Sequence, residues 1–207
     1  MIVYGSSISP VVRKVLVALN EKGIRYEHRP VAPQAEDAEF RAASAMGKIP
    51  AIDHDGFRLA DSSAILDYVE HLSPQPALIP ADAQGAARAR WFDKFGEVEL
   101  DRKLSVVFLE RFLKPRLFKV PGDDALAQQA LDTHLAPLFD YLESQISGPF
   151  LVSGAFGIGD IAVAAPFHNL RLAQVEVDAA RWPKLAGWVA LTLDRPAFVT
   201  AIAAPAW

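Results

Sequence analysis

The feature that most restricts how this chain folds is a change of hydrophobic period at a proline-rich break. Between Ser73 and Gln84 the sequence carries prolines at 74, 76 and 80 among small residues, a composition suited to an extended connection. Before the break, short apolar runs alternate with stretches of helical period. Ile2 to Gly5 reads as a strand. Ser9-Pro10 has the order of an N-cap and first helical residue, and Val12, Val15, Leu16 and Leu19 follow at i, i+3, i+4, i+7 up to Lys22-Gly23. Arg25 to Val31 reads as a second strand near an edge, because Pro30 forfeits a ladder hydrogen bond. A polar, alanine-rich loop comes next. Two runs around Asp55-Gly56 then predict a β-hairpin, and Asp61-Ser62-Ser63 caps a helix with Ile65, Leu66, Val69 and Leu72 on one face.

Beyond the break no strand is legible. Residues 84 to 114, 124 to 146, 158 to 174, 182 to 194 and 196 to 203 read as helices. The expected fold is therefore α/β plus all-α: a first domain over 1–73 with β-α-β-β-β-α order and a mixed four-stranded sheet, a linker over 74–84, and an all-helical domain over 85–207. Half of the 207 residues are apolar, enough for two cores.

Composition also removes whole classes of function. The net charge is −4 with no long run of one sign, so no electrostatic footprint for nucleic acid or an anionic membrane is present and a small-molecule partner is expected. No run approaches the roughly 20 apolar residues of a membrane span, and the N-terminus lacks a signal-peptide pattern, so the chain reads as cytoplasmic. It contains no cysteine, which excludes disulfides, thiolate metal sites and a protein-based mixed disulfide. Metal-ligand spacings, a phosphate loop and a Gly-x-Ser-x-Gly elbow are also missing.

What remains is Ser9 at one helix start, Pro50 at a strand start and Asp61-Ser62 at another helix start. Singly, these are an N-cap, an ordinary trans proline and a second cap. Together, and in this frame, they resemble the cytosolic glutathione transferase superfamily. Ser9-Pro10-Val11-Val12-Arg13 resembles its Ser-Pro signature. Gly47-Lys48-Ile49-Pro50-Ala51-Ile52 resembles its cis-proline segment, and Asp61-Ser62 its acidic-Ser pair. Phe156 to Ala164 is similar to its helical-domain capping box, with Gly157 in place of the capping hydroxyl and Asp160 at N3; we read that segment as a folding element. Where the family often has Asn-Pro ahead of the cis-proline segment, this chain has Ser44-Ala45, which leaves that loop's contacts open.

The resemblance implies a thioredoxin-like first domain that binds glutathione as co-substrate, with a cis Ile49-Pro50 bond. Ile49 would pair through its backbone with the cysteinyl unit, Lys48 would meet one carboxylate, and Asp61-Ser62 would hold the γ-glutamyl end on a helix N-terminus. Ser9 would activate the thiol, with Tyr4, Ser7 and Ser6 as alternatives. Ile8, Val11, Phe92, Phe95, Phe108 and Phe112 are the candidates for an electrophile pocket, although an aromatic stripe at helical spacing is more often core. No metal is expected, and a homodimer is implied. The competing reading is a non-catalytic interaction module on the same fold.

Overall fold

The computed structural model describes residues 1–152 and 154–206, which divide into two compact units: Met1–Ile79 together with the chain from Asp194 onward, and Pro80–Leu193. In the first unit β1 (Ile2–Tyr4), β2 (Glu27–Arg29), β3 (Ala51–His54) and β4 (Phe57–Ala60) form a mixed sheet in the order β2-β1-β3-β4. β1 pairs parallel to β2 and antiparallel to β3, with Val3 opposite both His28 and Ile52. This is the small mixed sheet expected, with the Pro30-flanked strand at an edge. The β3–β4 turn has positive φ at both Asp55 (54°) and Gly56 (89°), the type I′ geometry that matches strand twist.

Helix α1 (Pro10–Glu21) buries Val12, Val15, Leu16 and Leu19 and ends at Gly23, whose φ of 63° an L side chain resists. α2 (Ala38–Ala43) lies where a loop was expected. Asp37 caps it by accepting from Phe40 N at 2.7 Å, and Phe40 is fully buried against Tyr4. Six residues with three alanines carry too little periodicity to be read in advance; the Asp cap was the available signal. α3 (Ser62–Leu72) completes the sequence of elements before the break.

Two parts of the expected partition change. Residues 74–79 are not a free linker. The buried Lys22 ammonium donates to Ser73 O and Pro76 O, both at 2.7 Å, and pairs with Glu70, whose carboxylate accepts from Leu78 N and Ile79 N. The last helix, here α10 (Pro196–Ala203), belongs to the first unit and not to the helical domain. It is tied to α1 by a two-pronged Arg195–Glu21 pair (2.9 and 3.1 Å) and by Asn20 Nδ2 donating to Ala197 O, while Phe198 and Ala201 are fully buried.

The second unit is helical throughout its described secondary structure. α4 (Ala83–Lys94) and α5 (Arg102–Phe108) are joined by a π-helical stretch over Phe95–Asp101 and followed by another over Leu109–Phe118. α6 (Asp124–Gln129) and α7 (Ala136–Gln145) are joined in the same way over Ala130–Leu135, and α8 (Ile158–Leu172) and α9 (Pro183–Leu193) follow. Gly96 lets α8 approach, since a Cβ there would lie 2.5 Å from Ala162 O. No single helix among the described residues is long and apolar enough to cross a membrane.

Asp160 organises the start of α8. Its buried carboxylate accepts from Gly157 N (3.0 Å) and Leu151 N (2.8 Å), so the side chain at N3 serves the backbone although the N-cap is glycine. Burial pushes its pKa up from 3.8 to about 6 against the opposing pull of those donors. Because the folded value lies above the unfolded one, the folded state takes up the proton first. Asp160's contribution is therefore most favourable below about pH 4 and declines as pH rises through about 6. Urea unfolding from pH 4 to 7 should show wild type losing stability relative to Asp160→Asn over that window and a flat difference above it. Asp160→Ala strands the buried Leu151 N–H and the part-buried Gly157 N–H and should cost about 2–4 kcal/mol in the same titration.

Candidate functional site

The site begins where β1 becomes α1 within five residues. Gly5 has φ of 139°, and a Cβ on it would lie 2.6 Å from Val12 Cγ2 and 3.1 Å from Ile49 Cβ, so only glycine lets strand, helix and the cis-proline segment close together here. Gly5 N donates to Arg29 O, and Gly5 O accepts from His28 Nε2–H at 2.7 Å. Ser9 N donates to Ser6 O, and Arg13 N donates to Ser9 O at 2.9 Å, the first turn of α1. With Pro10 at N1, Ser9 is the N-cap by backbone conformation (φ −74°, ψ 125°), yet its half-buried hydroxyl makes no capping hydrogen bond.

The three alternatives to Ser9 are placed differently. Ser7 is buried and its hydroxyl donates to Ala204 O at 2.8 Å; Ser6 is buried and its hydroxyl accepts from Ile8 N at 3.4 Å. Tyr4 is buried in a cluster with Phe40, Ala43 and Ala51, with the Arg29 guanidinium 5.9 Å from its ring. Burial raises its phenol pKa, with Arg29 acting in the opposite direction.

The cis-proline segment lies against this loop. Ile49-Pro50 is cis, and Ile49 is half-buried just outside β3, its backbone outside the sheet ladder. Ser44, buried, brackets the preceding residue: its hydroxyl donates to Lys48 O at 2.8 Å and accepts from Lys48 N at 2.9 Å. The position that departed from the family pattern thus still organises the turn, and the Lys48 side chain is left exposed.

Pro50 leads on to the third element. Its carbonyl accepts from Asp61 N at 3.3 Å. Asp61 caps α3 by accepting from Ala64 N at 3.0 Å, and it has φ of 89° and ψ of 123°. A non-glycine residue in that region is strained by about 1–3 kcal/mol and persists where its surroundings demand the conformation. Ser62 is buried beside it. The N-termini of α1 and α3, neither with an acidic residue in its first turn, thus open at the end of the sheet where β1 ends and β3 begins.

The apolar candidates separate. Ile8 and Val11 are half-buried on either side of Ser9-Pro10. Phe92 has no exposed surface and Phe95 almost none; they pack edge-to-face, Phe95 also against Tyr141, and are core. An enclosed ring offers a ligand no area, so both are withdrawn as pocket residues. Phe108 is buried and stacked on Phe112 at 5.0 Å, and of the two only Phe112 is partly open. Arg13 and Ser44 were missed as parts of the site. Both lie inside segments read for other residues, and no spacing rule marks them. Among the described residues no group of three or more His, Cys, Asp or Glu side chains is placed to hold a metal ion.

Residues 3–77 match the family model of the glutathione S-transferase N-terminal domain, and residues 123–191 that of the C-terminal domain. A glutathione S-transferase of Hyoscyamus muticus is 27% identical over 208 aligned positions, covering 98% of this chain and 97% of the relative. A maleylacetoacetate isomerase of Dictyostelium discoideum is 26% identical over 199 positions, covering 91% and 87%. The crystal structure of a glutathione S-transferase from Rhodospirillum rubrum F11 superposes with a TM-score of 0.87 at 25% identity, covering 98% of this chain and 92% of that one.

The unused hydroxyl of Ser9 makes a stability prediction. Ser9→Ala should change the unfolding free energy by less than about 0.5 kcal/mol, whereas Asp37→Ala and Asp82→Ala, which remove caps accepting from Phe40 N and Gly85 N, should each cost about 1 kcal/mol in urea titrations.

Proposed function

The chain belongs to the glutathione S-transferase family, and from that premise we propose that it binds glutathione on its first unit and presents the tripeptide's sulfur to Ser9 as a thiolate. The family uses glutathione as a substrate, and its named relatives here include both a transferase and an isomerase. The observation that carries the reading is the convergence of Ser9, Ile49 and Asp61 at one end of the sheet, with the Ser9 hydroxyl not engaged in capping.

Each part of glutathione has a matching group. The γ-glutamyl carboxylate would sit on the N-terminus of α3 at Ser62, and its ammonium would meet Asp61. The cysteinyl backbone would pair with the N–H and C=O of Ile49 in the manner of an added strand. Lys48 would face the glycyl carboxylate. The sulfur would lie at the N-terminus of α1 next to Ser9, with Ile8 and Val11 as apolar contacts for the electrophile.

Magnitudes favour a hydrogen-bond donor over a base. A free thiol of pKa about 8.5 is only about 3% ionised at pH 7. Lowering it by about two units takes roughly 2.7 kcal/mol. One charge-assisted hydrogen bond contributes about 1.5–3 kcal/mol, and a helix N-terminus up to about 1 kcal/mol more. Ser9 can therefore keep its proton and donate a hydrogen bond to the sulfur. Such a thiolate can attack the halogen-bearing carbon of an aryl or alkyl halide, forming a thioether as the carbon–halogen bond breaks and halide leaves. It can also add reversibly to a conjugated double bond, which permits rotation and isomerisation.

This reading places the protein in the cytosol, where glutathione is held reduced, and as a homodimer. Met46 is 72% exposed, and Phe57, packed on Tyr68 at 4.8 Å, is 48% exposed. Both are apolar surfaces for a second copy to cover. Met46→Asp combined with Phe57→Asp should shift the protein to the monomer mass in light scattering. An unchanged mass removes these residues from the interface.

Titrating protein with glutathione while following thiolate absorbance should give a bound thiol pKa well below 8.5. Ser9→Ala should retain binding, return the thiol pKa toward its free value, and lower turnover of an aryl halide by about 10- to 100-fold. Tyr4→Phe should stay within about twofold. Absence of glutathione binding in wild type would leave the interaction-module reading as the better account.

A further inference from the structure

The loop that delivers Ser9 is held from beneath by a charged side chain that the functional reading does not use. Arg13 is 1% exposed, and its Nη2 donates to Ser7 O at 3.0 Å and Ile8 O at 3.2 Å. Helical side chains lean toward the helix N-terminus, so a residue four positions after the N-cap reaches back under the loop that enters the helix. Ser7 and Ile8 lie in the turn that leads into α1. Gathering their carbonyls onto one nitrogen fixes the peptide planes of Ser7 and Ile8, and with them the direction in which Ser9 enters α1. The neighbouring loop groups are held as well, by His28 on Gly5 O and by Ala204 O on the Ser7 hydroxyl.

We propose that Arg13 is a positioning residue for Ser9: its guanidinium clamps the Ser7 and Ile8 carbonyls and thereby sets the distance and angle of the Ser9 hydroxyl to the glutathione sulfur. This rests on the reading of Ser9 as thiol donor. A hydrogen bond to a charged atom weakens steeply with angle and length, so a slackened loop costs thiolate stabilisation before it costs binding. The tripeptide's other contacts come from Ile49 and Asp61, which the clamp does not touch. Arg13 and the thiol pKa should therefore be coupled, while Arg13 and affinity for a thiol-less analogue should not.

The test is a double-mutant cycle read by the thiol pKa of bound glutathione, with affinity for S-methylglutathione as the second readout and circular dichroism to verify folding. Arg13→Met should raise the pKa by about one unit, a tenfold loss of thiolate where the wild-type thiol is largely protonated, and should change S-methylglutathione affinity by less than about threefold. Arg13→Lys, a single point donor, should fall between the two. In a Ser9→Ala background Arg13→Met should add no further shift. If Arg13→Met does not fold, Arg13→Lys and Arg13→Gln carry the same cycle. An unchanged pKa in the folded Arg13 variants overturns the clamp, as does a shift of full size in the Ser9→Ala background, which would mean direct action of the charge. If Ser9→Ala itself leaves the pKa unchanged, the reading of Ser9 fails and the clamp fails with it.

Discussion

The junction between β1 and α1 has five residues in which to convert a buried strand into a buried helix, and the site depends on how their backbone groups are satisfied. Buried carbonyls without donors are costly. Here Gly5 O has His28, Ser6 O has the backbone N–H of Ser9, Ser7 O and Ile8 O have Arg13, and Ser9 O has the first helical N–H. These are the loop's acceptors; at the start of α1, Pro10 has no N–H to cap and the Ser9 side chain makes no capping bond. A serine hydroxyl free of capping at a helix N-terminus is available to a ligand, and the absence of β-substitution at Gly5 is what allows Ile49 to approach this loop.

The chain's last helix supports the same junction from outside the sheet. α10 follows the helical unit in sequence but packs in the first, through the Arg195–Glu21 pair and the Asn20–Ala197 bond. Partly buried, two-pronged pairs of this kind contribute more by geometry than exposed pairs do. The Ser7–Ala204 bond then ties the segment after α10 to the loop itself. A carbonyl nearly two hundred residues away thus helps to position the residue two places before Ser9.

How much of this is legible in the sequence follows from how local each signal is. The strand, helix and turn order came from period and punctuation, and the Asp55-Gly56 turn, the Gly23 stop and the Pro30-flanked edge strand appear as those residues require. The cis state of Ile49-Pro50 came from the resemblance, since the two residues alone do not encode it. α2 was missed because six residues are too few for periodicity. The placement of α10 was missed because its partners, Glu21 and Asn20, lie about 175 residues away and a helix's pattern does not name the helix it packs against. Phe92 shows the reverse limit: helical spacing identified an apolar face correctly, but whether such a face meets ligand or core is decided only by burial.

Nothing at the junction requires a general base. In the proposed mode a donor, a helix terminus and a tripeptide fixed at both ends would suffice to hold a thiolate, and none of these distinguishes one electrophile from another. In the proposed binding mode, backbone and cap groups would recognise glutathione by its charges and peptide units, which are common to every reaction it enters. Selectivity must then come from groups that touch only the second substrate. On the first unit the proposal assigns this part to the side chains of Ile8 and Val11, which lack polar atoms. A pocket wall of that kind separates substrates by shape and apolar area, at about 1–3 kcal/mol per methylene, and leaves the choice between conjugation and isomerisation to the chemistry of the bound electrophile.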